Sequence, residues 1–135
     1  MSTVLCIVDM QPYFKTHKKC LDEVIHQVKL AKRRKAPIVI LEYKKCGPTH
    51  ERILDELKGV KKVIIKQKED DDGSREFLNA VKNIKYKKVR ICGVNACYCV
   101  YETALGIKAE GIKLELPSNA IACECTHKCN MLKAL

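Results

Sequence analysis

Five continuous apolar runs alternate with amphipathic segments along this chain, and that alternation constrains the fold more than any other feature. "TVLCIVDM", "PIVILEY", "VKKVIIK", "KKVRICGV" and "IKLELP" each read as a strand buried on both faces. Between them, Leu21, Val24, Ile25, Val28 and Ala31 recur at helical spacing, as do Phe77, Leu78, Val81 and Ile84. Ile53, Leu54 and Leu57 mark a short helix, "CVYETALGIKAEG" a longer one stopped by Gly111, and residues from about Cys123 a final one. The pattern predicts a three-layer α/β/α fold with a mostly parallel sheet of about five strands. Right-handed crossovers then bring every strand's C-terminal end to one edge, where ligands bind in open sheets.

The 135 residues suit a single domain, 1–135, with one core. No apolar run follows a basic leader and none is long enough to span a bilayer, so a cytoplasmic location without membrane contact is expected. Nine cysteines without a secretory signal, and in odd number, point to reduced thiols. The net charge of +10 invites a nucleic-acid partner, but the lysines are scattered among acids and aromatics are only 5%, leaving few stacking platforms. A solvated lysine-rich surface is favoured over nucleic acid.

Three chemically able groups stand at strand ends. Asp9 closes the first strand, Lys66 directly follows the apolar run of the third, and "NACYC" follows the fourth, with a helix opening at about Cys99. A thiol there feels unpaired backbone amides, and a nearby ammonium would favour the thiolate further. An aspartate in reach takes the thiol proton and returns it to a leaving group. Against this stand plainer roles: a buried cysteine, a turn-binding aspartate, a surface lysine. Lys68 competes with Lys66, because residues two apart in a strand share a face. Glu42, also at a strand end, is either a pocket residue or a surface glutamate.

"CIVDMQPYF" resembles the opening motif of the isochorismatase-like cysteine hydrolases, V-x-D-x-Q-x-x-F. "GVNACYCVYETALGIKAEGIKLELPSNAIA" is similar to their G-V-x-x-x-x-C-V-x-x-T-A segment, and "VIIKQKEDDDGSREF" resembles their lysine-bearing strand. The matches run in order over almost the whole chain, and the cysteine motif is the most specific. The resemblance implies an isochorismatase-like, Rossmann-like fold with Asp9, Lys66 and Cys99 as a catalytic triad and Cys99 as nucleophile. It also implies a cis peptide at Val94–Asn95, with amides near Asn95 and Cys99 facing an oxyanion, and Phe14 among the substrate-side residues.

The implied activity is hydrolysis of a C–N bond in a small amide, imide or ureide through a thioester, in a homodimer or higher homo-oligomer, with no cofactor. Relatives that cleave isochorismate tend to lack the cysteine. Nicotinamidases of the family carry an Asp-x-His metal motif, whereas this chain reads "LEYKKCGPTHERI", so no metal is expected. The chain is expected to stop short of the family's further strand and helix, so that a pocket wall is either missing or supplied by a partner subunit. A catalytically silent module with the same fold, binding ligand or protein at its edge, is the alternative.

"CECTHKC" (Cys123, Cys125, His127, Cys129) invites a zinc reading. On a helix, Cys125 and Cys129 share one face while Cys123 and His127 share another, roughly 160° away. Core thiols and a surface histidine are the expectation there. His17, His26 and His50 are scattered and have no evident partner.

Overall fold

The structure, a computed structural model, describes residues 3–124 and 135. Each apolar run becomes a strand: β1 (Thr3–Val8), β2 (Ile38–Tyr43), β3 (Val63–Lys68), β4 (Lys88–Val94) and β5 (Lys113–Glu115). The helices are α1 (Lys18–Arg33), α2 (Glu51–Glu56), α3 (Ser74–Val81) and α4 (Cys99–Lys108). The strand order is β3-β2-β1-β4-β5, and every pairing is parallel. The chain thus winds outward from β1 through β2 to β3, then returns to β1's other side with β4. β1 and β4 flank the point where the winding reverses, which is where a crevice opens in such sheets.

Strand alternation splits the apolar residues between two cores. Leu5, Ile7, Ile38 and Ile40 face the layer of α1 and α2, packing on Val24, Val28 and Ile53. Val4, Cys6, Val8, Val39 and Leu41 face α3 and α4, packing on Phe77, Val100, Ala104 and Ile107. Cys6, Cys20 and Cys92 are buried free thiols that fill these cores. Cys97, by contrast, is disulfide-bonded, which corrects the expectation that all the thiols are reduced.

The expected chain arrangement needs one more correction. After β5 and a one-turn 3-10 helix at Ser118–Ala120, a short strand β6 (Ile121–Ala122) lies parallel to β4. β5 pairs with the beginning of β4 and β6 with its end, at Gly93 and Val94. Two residues are too few to register as an apolar run, so this further strand was not expected. The expected final helix lies outside the described residues.

Gly93 shows why this end of β4 admits no side chain. Its φ is +124°, and a Cβ there would lie 2.1 Å from the Val8 carbonyl oxygen of β1. The Val94–Asn95 peptide that follows is cis. Among the described residues, no helix is long and apolar enough to cross a membrane.

Candidate active site

Asp9 is the first residue beyond β1 and takes a left-handed backbone, φ 52°, a conformation aspartate tolerates better than most residues. Its amide donates to the Leu41 carbonyl oxygen at 3.0 Å, tying the chain just beyond β1 to the neighbouring strand β2. The side chain is buried, and Oδ2 accepts from Lys68 Nζ at 3.0 Å. Lys68 is fully buried as well. Its ammonium also donates to the Asp70 carbonyl oxygen at 3.2 Å and lies 4.0 Å from the centroid of the Tyr43 ring. A carboxylate, a carbonyl and a π face together make this buried charge tolerable. Gly73 makes room for it, since a Cβ there would meet Lys68 Cδ and Leu41 Cδ1 at 2.8 Å.

Lys66 is not brought to Asp9. It is half-buried on edge strand β3, and its ammonium donates to Asn79 Oδ1 at 2.9 Å. The apolar run stops at Ile65, but strand pairing continues three residues further, with Leu41 opposite Lys66 and Tyr43 opposite Lys68. Both lysines face the same layer, as their spacing implied. Lys66 sits one pleat back from the edge, roughly 6–7 Å along the strand, and Lys68 stands at the rim.

Cys99 opens α4 from the loop after β4, on the far side of the reversal point from Asp9. Its Sγ donates to Asp71 Oδ1 over a long 3.6 Å, while Asp9 Oδ1 has no hydrogen-bond partner in that geometry. Two carboxylates therefore compete for one thiol proton. Burial pushes the Cys99 thiol well above its ordinary range, and the Asp9 charge pushes it further; Lys68 pulls the other way and loses. The expected thiolate is corrected to a resting thiol, because the sulfur is enclosed and faces carboxylates. Asp9 is itself raised, by burial first, despite Lys68.

Several residues that sequence reasoning passed over complete the site. Asp71 is held by Tyr43, whose hydroxyl donates to Asp71 Oδ1 at 3.2 Å. Burial, then Asp71, pushes the Tyr43 phenol up to about 12, so it stays a donor. Thr103 Oγ1 accepts from the Gly73 amide at 2.9 Å and donates to the Asp71 carbonyl at 3.3 Å, tying the acidic loop to α4. Gln11, in the opening motif, donates to the Tyr43 and Gly47 carbonyls and accepts from the Tyr43 amide. The available signal was register: Tyr43 and Lys68 are the last paired residues of neighbouring strands.

Of the substrate-side residues, Val94 is buried at the end of β4. Asn95 turns its Oδ1 to the Glu124 amide at 2.7 Å. Phe14 packs near the rim, its ring centroid 6.2 Å from that of Tyr43. Glu42 is not a pocket residue. It points into the opposite layer, where Oε2 accepts from the Thr49 amide and hydroxyl at 2.8 and 2.7 Å and Oε1 from Gln67. The strand's alternation sends Tyr43 to the site and Glu42 away from it.

With Glu42 so occupied, Glu42, Cys46 and His50 do not fit a metal of the nicotinamidase kind. Among the described residues no three His, Cys, Asp or Glu side chains converge as metal ligands. Cys123 is described, while Cys125, His127 and Cys129 lie outside the described residues.

An acid, a lysine and a thiol thus stand together at the reversal point of a parallel α/β sheet. The isochorismatase domain model matches residues 3–127, and the chain belongs to that family. It is similar in structure to the nicotinamidase SaPncA from Staphylococcus aureus, with a TM-score of 0.75 and 18% identity over 93% of this chain and 88% of that one. N-carbamoylsarcosine amidase from Thermoplasma acidophilum aligns over 98% of this chain and 90% of its own, at TM-score 0.77 and 15% identity. YcaC from Escherichia coli, an octameric hydrolase of unknown specificity, aligns over 90% and 64%, at TM-score 0.75 and 20% identity. No curated protein matches the chain.

Proposed function

We propose that this chain is a cysteine hydrolase that cleaves a C–N bond of a small amide, imide or ureide through a thioester. Asp9, Lys68 and Cys99 carry the reaction. The supporting observation is the buried Lys68–Asp9 pair, 3.0 Å long, beside a thiol that both groups influence.

The resting thiol gives its proton to Asp9 as Sγ attacks the substrate carbonyl carbon, so the attacking sulfur is never a long-lived bare charge. The carbonyl π electrons move to oxygen. No carbonyl among the described residues accepts from the Cys99 amide, which leaves that N–H for the oxyanion. Collapse of the tetrahedral centre breaks the C–N bond, and the Asp9 proton leaves with the nitrogen. Water then gives a proton to Asp9 while its oxygen attacks the thioester carbon. The acid departs, and the proton returns to Sγ. Asp9's raised position suits this traffic, because a carboxylate that holds a proton more readily than usual can both take and give one. Lys68 keeps it in place and balances the charge when sulfur is anionic.

In this reading the protein works as a homo-oligomer; YcaC, similar to it in structure, is an octameric hydrolase. Sizing chromatography coupled to light scattering reads this directly.

The test is ammonia release from a panel of primary amides, imides and ureides. Cys99→Ala is expected to cut turnover by about 10³-fold or more, as removal of a covalent nucleophile does. Brief incubation followed by mass spectrometry should find an acyl group on the peptide containing Cys99. A Cys99→Ala protein as active as the parent sinks the proposal, and a parent that cleaves none of these bonds favours the silent module.

A further inference from the structure

Lysines that are scattered along the sequence are gathered by the winding of the chain. In a parallel sheet each helix runs back against its strand, so every helix-to-strand connection lies where the next strand begins. The register keeps those beginnings level: Ile38 stands opposite Leu5 and Val63, and Lys88 opposite Thr3 and Lys113. The connection before β2 (34–37) carries Arg34 and Lys35, and the one before β3 (57–62) carries Lys58, Lys61 and Lys62. The one before β4 (82–87) adds Lys82, Lys85 and Lys87. All eight are exposed. Glu110, before β5, is the single acid in these four connections. At the other edge, the strand-to-helix connections (9–17, 44–50, 69–73 and 95–98) hold three lysines against five acids.

Two ordinary causes do not account for this segregation. A helix C-terminus carries about half a negative charge, and its pull on cations fades beyond the last turn. Lys61, Lys62, Lys85 and Lys87 stand at least four residues past the ends of α2 and α3. Nearby acids are engaged elsewhere: Glu56 by Lys32, and Glu115 by Lys88 and Arg90. Lys58 has Asp55 at only 4.0 Å. Residues 125–134 contain two lysines and no acid, so they bring no carboxylate side chain to offset this charge.

We propose that this edge binds a double-stranded nucleic acid through its phosphates, without reading sequence. The eight cations extend from β3 to β4, three strand spacings apart. That is roughly 14 Å, over which a duplex presents about eight phosphate charges. Seven of the eight are lysines, which meet phosphate as point charges rather than gripping base edges in pairs. Unpaired bases need open rings to stack on. Tyr86 is the one aromatic in these connections, and its ring packs edge-on against Phe77, 6.4 Å between centroids. Stable binding to a lipid surface takes an apolar anchor besides charge. Leu57, Val60, Ile84 and Ile112 all pack into the two cores instead. None of the exposed large apolar side chains, Tyr13, Ile65, Tyr98 and Leu105, lies in these connections. The edge is at the opposite end of the strands from Asp9, Lys68 and Cys99, so duplex binding goes beyond the hydrolase reading and does not depend on it.

Fluorescence anisotropy of the full chain with labelled duplexes of about 20 base pairs, one DNA and one RNA, tests this. At least one duplex should bind at low salt, and binding should weaken by about 10²-fold for a fourfold rise in salt, as roughly four neutralised phosphates give. Lys61→Gln with Lys62→Gln should cost about tenfold and flatten the salt slope by about two, and Lys85→Gln with Lys87→Gln likewise. Lys44→Gln with Lys45→Gln removes the same charge from the other edge and should change binding by less than about twofold. These side chains are all exposed, so the fold is kept, which far-UV circular dichroism checks. A preference for DNA or for RNA names the source of the duplex. Equal losses from the three variants would mean that net charge alone matters, and would overturn the inference. So would absence of binding at low salt, tighter binding of a single strand of the same length, or tighter binding to vesicles of phosphatidylserine and phosphatidylcholine.

Discussion

Two carboxylate–cation clusters sit at opposite ends of the same sheet, and nearly the same residue types behave in opposite ways. At the strands' beginnings, Glu115 of β5 accepts from Lys88 at 2.7 Å and Arg90 at 3.0 Å on neighbouring β4. All three side chains are about a quarter to a third exposed. Its neighbours hold Glu115 below the usual carboxylate range, the Lys88 hydrogen bond first, against a smaller cost of burial. At the strands' ends, Asp9 has its own lysine at 3.0 Å, yet burial outweighs it and the carboxyl is raised. A pair left in contact with water ties a charge down. The same pair taken out of water keeps its proton affinity high, which is what a proton carrier needs.

The largest difference should appear on breaking each pair. Lys68→Met leaves Asp9 buried and uncompensated, which is expected to cost about 3–5 kcal/mol. Lys88→Met removes one of two cations from a partly wet carboxylate and should cost about 1 kcal/mol or less. Urea denaturation at neutral pH reads both. Equal costs would mean that water reaches the Asp9 end as freely as the Glu115 end. The double variant Asp9→Asn with Lys68→Met should recover part of the loss, because no lone charge remains.

A second effect concerns the thiol that only one cluster holds. Cys99 should react slowly with iodoacetamide at neutral pH, since burial and Asp9 keep it protonated. Asp9→Asn removes the charge but keeps an oxygen for Lys68, and alkylation should quicken by about tenfold for each unit the thiol falls. The same variant should lose amide turnover. Faster labelling with lost catalysis separates a proton carrier from a mere strut, and unchanged labelling would detach Asp9 from the sulfur.

Acid titration compares the clusters with opposite signs. Asp9 is raised in the folded state from 3.8, so its contribution is fully present below that value and is lost as pH rises through the folded one. Glu115 is lowered from 4.5, so its contribution is present above that value and is lost as pH falls through the folded one. Urea midpoints between pH 3 and pH 7 should therefore diverge. Relative to the parent, Asp9→Asn gains stability as pH rises, and Glu115→Gln loses it. Slopes of the same sign would mean that burial does not dominate at Asp9.

Layering was legible from the apolar runs because a buried parallel strand has to be apolar on both faces, and all five runs became strands. The acid and the thiol were legible because each stands where an apolar run or a motif ends. The lysine was not, since β3 is an edge strand whose last residues, Gln67 and Lys68, are polar although still paired. Hydrophobicity marks where a strand is buried, while the rim is set by where pairing stops. Glu42 misled for a related reason: a strand end fixes the edge, but one residue's parity fixes the layer. The thiol's protonation was out of reach too, because the helix-terminus argument omits burial and the Asp71 carboxylate that a loop brings to the sulfur.

The smallest expected effect tests that lesson most directly. Lys66 and Lys68 share a strand, a face and a charge, and differ by one pleat. Lys66 donates to Asn79 at the surface of α3, an interaction that water replaces at little cost. Lys66→Met should shift stability by about 0.5 kcal/mol or less and leave amide turnover within about twofold. Its methionine stem can still lie along α3 as the lysine stem does. If Lys66→Met instead removes activity while Lys68→Met retains it, the strand's register at the rim is shifted by two residues, and the acid would have to find its cation one pleat deeper. That outcome would also put the Tyr43 ring against the wrong lysine, so the position of Tyr43 opposite Lys68 stands or falls with the same measurement.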